Sequence, residues 1–137
     1  MKLRSIVSNV LLTGMLLAAS VAGASPSSDA LAKEEAVAAP LVQAIVTGAN
    51  DFSAFSRVVD KNAVKLNDFK KVRKEVKDLE KAKSIIFAAF SRNNGADAVT
   101  YIVPVTDKDA YAFTVVFNAQ SGLVSGVTIN KLAITTG

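Results

Sequence analysis

Histidine and cysteine are both missing from this chain of 137 residues, and each absence closes a class of chemistry. Without histidine there is no imidazole to ligate a metal, act as general base or activate a serine nucleophile. Without cysteine no disulfide staples the fold and no thiol can carry a lipid, so stability must come from a packed core. The missing histidine also predicts a stability that is flat between about pH 6 and 8, where no unperturbed side chain titrates. No cofactor and no metal ion is expected. Asp107 and Asp109, on one short turn, supply too few oxygens for calcium, which takes about six to eight, and read as a hairpin tip.

Long apolar runs are scarce as well. The longest, Ile6 to Ala19, follows Lys2 and Arg4 and precedes Ala22-Gly23-Ala24. It is short for a membrane span and matches a cleavable signal peptide over residues 1–24, the competing reading being an uncleaved anchor. A periplasmic or secreted location follows, with no stable membrane anchor after cleavage. Residues 25–29 read as a disordered leader. Lys2 and Arg4 leave with the signal, so 16 basic residues become 14 against 12 acidic and the net charge falls from +4 to +2. No nucleic-acid partner is expected from so slight a balance.

Helical spacing dominates the next stretch. Ser28 or Asp29 can cap a helix from about Ala30, with Glu34 and Glu35 favoured near its positive end and Val37, Leu41, Val42, Ile45 and Val46 as its apolar stripe. Gly48 is a natural stop, and Pro40 predicts a kink or a break. Asn50-Asp51 is expected to cap a short helix over 52–59, striped by Phe52, Phe55, Val58 and Val59. Asn67 is expected to cap a third helix over 68–80, with Phe69, Val72, Val76 and Leu79 stepping by three and four.

From Ala82 the period becomes two. Strands are expected over 83–91, 98–105, 110–118 and 123–131, joined by turns at 93–95, 106–109 and 119–122, which makes neighbours antiparallel. One lane is bulky: Val99, Tyr101, Val103, Tyr111, Phe113, Val115, Phe117, Leu123, Val127 and Ile129. The other is small: Ala98, Thr100, Ile102, Ala112, Thr114, Val116, Val124, Gly126 and Thr128. The bulky lane should face the helices. The first strand is ambiguous, because Ile85 and Phe87 alternate against Ile86 and Phe90. Pro104 should sit at a bulge or strand margin.

Leu41-Val42-Gln43-Ala44-Ile45-Val46-Thr47-Gly48 followed by Asn50-Asp51-Phe52-Ser53-Ala54-Phe55, with the late segments 101–105 and 116–126, resembles the NTF2-like (cystatin-like) superfamily. The pattern is similar to its small secreted bacterial domains of unknown function. The resemblance implies one α+β domain over 30–137, in which N-terminal helices pack on a curved four-stranded antiparallel sheet and enclose a cone. Some members are enzymes, and others bind ligands, dimerise or regulate a partner. The enzymes need acid–base groups inside the cone, whereas no carboxylate falls mid-strand here: Asp97, Asp107 and Asp109 are placed at turns.

The candidate ligand-binding residues are Phe52, Phe55, Tyr101, Tyr111, Phe113 and Phe117, with Phe87 beside them. The tyrosines can hydrogen-bond a ligand from the wall or serve as ordinary core residues, and the phenylalanines can line a pocket or fill it. The small lane is smooth enough to pack in a homodimer or to face solvent. Lys70, Lys71, Arg73, Lys74, Lys77 and Lys81 form a solvated basic face with ion-pair spacing, or a surface for an acidic partner. The expected function is binding, of a small apolar ligand or an envelope protein. The alternative is a small isomerase or hydrolase built on Tyr101 or Tyr111 and a turn carboxylate.

Overall fold

The computed structural model describes residues 28–133. The expected signal peptide lies outside them, as do residues 25–27 of the leader; Ser28 and Asp29 are already helical. The architecture is α+β. Among the described residues two helices, α1 (Ser28–Thr47) and α2 (Asp68–Lys74), precede an open four-stranded antiparallel sheet of β1 (Ile86–Asn93), β2 (Ala96–Pro104), β3 (Asp109–Asn118) and β4 (Val124–Ala133), in the order 1-2-3-4.

Helix α1 lies against β2 and β3. Its buried side chains Leu31, Glu34, Ala38, Leu41, Val42, Ile45 and Val46 step by three, four or one, the stripe of an amphipathic helix. Pro40 does not end it. Proline removes the N–H that the Ala36 carbonyl would accept from, but Pro40 and Ala36 are both exposed and water can replace the lost bond. At Gly48 the backbone turns left-handed (φ 79°), and the Gly48 N–H donates to the Ile45 carbonyl at 3.2 Å.

Two expected helices are shorter than their periodicity suggested. Over 52–59 only Ser53–Phe55 makes a helical turn, of 3-10 type. The chain then binds the sheet instead: the Val124 N–H donates to the Val58 carbonyl and the Asp60 N–H to the Val124 carbonyl, both at 2.8 Å, so Val59 forms a parallel bridge with Val124. The third helix stops at Lys74, and a second 3-10 turn follows at Leu79–Lys81 after a left-handed Asp78 (φ 64°). Lys70, Arg73, Lys74 and Lys77 stand three or four apart, a like-charge spacing that weakens a helix, while Val76 and Leu79 still reach the core through the broken path. Asn67 gives no side-chain cap; the Asp68 carboxylate accepts from the Lys65 N–H instead, at 3.1 Å.

The sheet follows the two-lane pattern with two offsets. A bulge between Phe87 and Ala89 inserts Ala88 as an extra residue, so Phe87 faces Tyr101 while Phe90 faces Val99. That resolves the ambiguous first strand: Ile85, Phe87 and Phe90 all pack on the core and Ile86 stays exposed. A second irregularity pairs Phe117 with Val124 but Val116 with Gly126, so Val124 is fully buried, where the sequence had assigned it to the outer lane and Leu123 to the inner. Pro104 is the last residue of β2, at the strand margin as expected. Phe69, Phe113 and Phe117 are among the largest fully buried side chains. Truncating one to alanine costs about 3–5 kcal/mol in such a core.

Candidate functional site

The inner face of β2 brings Asp97, Val99, Tyr101 and Val103 into one buried row. Its two polar members, Asp97 and Tyr101, organise two different places.

The Asp97 end is built by the first hairpin. Asn94 and Gly95 both have positive φ (53° and 81°), the two-residue turn that Asn-Gly favours. This turn sets Asn93 opposite Ala96 and Arg92 opposite Asp97. Arg92 then grips Asp97 with two hydrogen bonds, Nε to Oδ1 at 2.7 Å and Nη2 to Oδ2 at 2.9 Å. Asp97 is 1% exposed, although the sequence had placed it on an exposed turn as a carboxylate without an inward role. The turn is one residue tighter than that, so the strand, and its inward lane, begins earlier.

Helix α1 brings Glu34 down on this pair. Glu34 is 8% exposed, and its Oε1 has no hydrogen-bond partner. Burial first, then the hydrogen bond to Asp97 and its negative charge, push the Glu34 carboxyl from 4.5 to about 7, while Arg92 pulls the other way. Asp97 moves in the opposite direction: the Arg92 hydrogen bonds hold it below its usual value against burial, and the Glu34 hydrogen bond helps. Glu34 is therefore the proton holder and Asp97 the charged acceptor. Glu34 also corrects the expectation of a flat response between pH 6 and 8, because a buried carboxyl now titrates there.

The Tyr101 end faces the chain just before β1. Residues 82–85 pass beside α1 without pairing in the sheet, leaving an open groove of ≈ 560 Å³. Ala39, Val46, Ala82, Ile85 and Phe87 provide apolar lining; Glu35, Gln43, Thr47, Lys83 and Ser84 provide polar groups. Tyr101 lines the groove, is 3% exposed, and its hydroxyl has no hydrogen-bond partner. The Phe87 ring holds the Tyr101 ring edge-on at 6.0 Å between centroids. Burial, and secondarily the Glu35 carboxylate, raise the Tyr101 hydroxyl above its ordinary range, so it remains a protonated donor at neutral pH.

The other candidate ligand residues are elsewhere. Phe52 lies between Phe55 and Phe69, with ring centroids 6.1 and 5.5 Å away, in a cluster under the 3-10 turn. Tyr111, Phe113 and Phe117 are buried in the core along β3. Of the candidates, Tyr101 and its neighbour Phe87 are the groove residues. Among the described residues no group of carboxylates can hold a metal ion, and no helix is long and apolar enough to cross a membrane. Comparison with protein-family models, curated proteins and solved structures finds no match for this chain.

Proposed function

We propose that this is an exported, non-catalytic binding domain of the NTF2-like kind, taking a small, mainly apolar ligand with one polar acceptor in the groove beside α1. The observation that carries the reading is the Tyr101 hydroxyl, buried on the groove wall with nothing to bond. A buried hydroxyl without a partner costs about 1–3 kcal/mol, and a ligand carbonyl or carboxylate that displaces the groove side chains covering it would recover it. The apolar wall from Ala39 to Phe87 suits a hydrocarbon or ring, and Lys83 suits an acidic headgroup. A raised Tyr101 favours hydrogen-bond donation over the tyrosinate base that an isomerase would need. The helices on one face of an open sheet support the family reading, and the apolar run after Arg4 supports export.

The test uses a medium-chain fatty acid as probe, displacing an anilinonaphthalene dye. The native protein is expected to bind it, Tyr101→Phe to bind roughly tenfold more weakly, and Ala39→Trp, which fills the groove, to lose it. Equal affinity in all three proteins would remove the groove from consideration.

A further inference from the structure

Helix α1 meets the sheet through two chemically different halves. From Ala38 onward the contact is apolar, with Ala38, Leu41, Val42 and Ile45 fully buried. Before Ala38 the buried positions among the described side chains are Leu31 and Glu34 alone. Among the described side chains, the first half of the helix is thus held by one buried leucine, one half-buried valine at Val37 and one carboxyl.

That carboxyl has specific surroundings. Asp97 faces it from β2, and Arg92 from β1 directs its hydrogen bonds to Asp97. Phe117, opposite Asp97 on β3, is apolar, and so are Leu31 and Ala38 one turn away along the helix. The helix's own charges next to Glu34 are Lys33, which is exposed, and Glu35, which lines the groove. Among the described residues Asp97 and Arg92 are therefore the charged groups that reach Glu34 from the sheet.

We propose that Glu34, Asp97 and Arg92 form a pH-released latch that closes the first half of α1 onto the sheet while one proton is shared between the two carboxyls. Loss of that proton leaves two carboxylates against one guanidinium, with the Glu34 charge in a poorly solvated place. The half-helix then hydrates Glu34 most readily by lifting, because among the described side chains before Ala38 the apolar contacts opposing its release are Leu31 and the half-buried Val37, fewer than in the second half. The second half, anchored by Leu41 to Val46, stays in place.

Amide hydrogen exchange tests this on the purified protein. Protection at residues 31–39 is expected to fall roughly 50-fold between pH 5 and 8, after correction for intrinsic exchange, with little change at 41–46. Glu34→Gln keeps a neutral hydrogen-bonding group and should abolish that loss. Equal loss in Glu34→Gln, or none in the native protein, overturns the latch. Carbon-detected titration of the Glu34 carboxyl in the native protein provides a second measurement that needs no variant. A midpoint near neutrality that coincides with the loss of protection supports the proposal, and a midpoint near that of a free glutamate sinks it.

Discussion

Two polar groups stand four residues apart on one face of β2, and the fold answers them in opposite ways. Asp97 receives two short hydrogen bonds from the residue directly across the hairpin. The Tyr101 hydroxyl has none, and the residue lines a groove. The difference follows from charge. An ionised carboxylate left alone in a protein interior costs several kcal/mol, so the chain must supply its partner. A neutral hydroxyl costs far less, which a domain can tolerate if a ligand later satisfies it. Glu34 sits between these cases: buried like Asp97, it escapes the cost by holding a proton rather than by finding a cation.

The largest expected effect comes from testing that intermediate case. The folded-state value of about 7 lies above the ordinary 4.5, so the folded chain holds the proton more tightly than the unfolded one. Stability is thus fully present below about pH 4.5 and is lost as pH rises to about 7, by roughly 3 kcal/mol. Asp97, held low, acts in the other direction and costs stability only in stronger acid. Thermal unfolding should therefore be most favourable to the fold near pH 4–5, and Glu34→Gln should match the native protein there and exceed it at pH 8. Parallel melting curves would show that Glu34 does not differ from an exposed carboxyl.

Next in size is the paired group. Asp97→Asn keeps the shape but leaves the Arg92 guanidinium without a counter-charge and with one acceptor oxygen in place of two, and should lower stability by about 2 kcal/mol at neutral pH by urea unfolding. It should also move the Glu34 titration toward its ordinary value, since the aspartate charge is gone. Tyr101→Phe carries the opposite sign: removing an unpartnered hydroxyl should raise stability by about 1 kcal/mol while ligand affinity falls. A stabilised but weaker-binding variant would separate the two ends of β2 into one kept for the fold and one kept for a ligand. A destabilised Tyr101→Phe would mean that the hydroxyl already has a partner.

Much of this was legible in the residues. The two-lane alternation put Tyr111, Phe113 and Phe117 in the core, and Asn94-Gly95 marked the first hairpin. Both members of the carboxyl pair were also in reach: Leu31, Glu34, Ala38 and Leu41 step by three, four and three, and a two-residue turn places Arg92 across from Asp97. They were missed because Glu34 was explained by the helix dipole and Asp97 by a turn one residue too long. What no pattern contained was the insertion of Ala88 and Ser125, each of which shifts one lane to the other face. The groove was equally hidden, since it arises where residues 82–85 decline to pair. The end of α2 at Lys74, ahead of a left-handed Asp78, is likewise something apolar periodicity does not register.

The smallest expected effect provides the outer limit of the comparison. Lys81 and Asp78 lie three residues apart with Nζ to Oδ1 at 3.4 Å, and the lysine side chain is 58% exposed. Water screens both charges and the lysine loses rotamer freedom in holding the pair, so the net gain is small. Lys81→Ala should change stability by less than about 0.5 kcal/mol, and raising the salt concentration should not alter that difference measurably. Asp97 and Arg92 have the same charges in a closer, two-bonded pair at 2.7 and 2.9 Å, and one end is sealed from water. If Lys81→Ala proved as costly as Asp97→Asn, burial would not be what separates these pairs, and the cause would have to be sought in the left-handed backbone at Asp78.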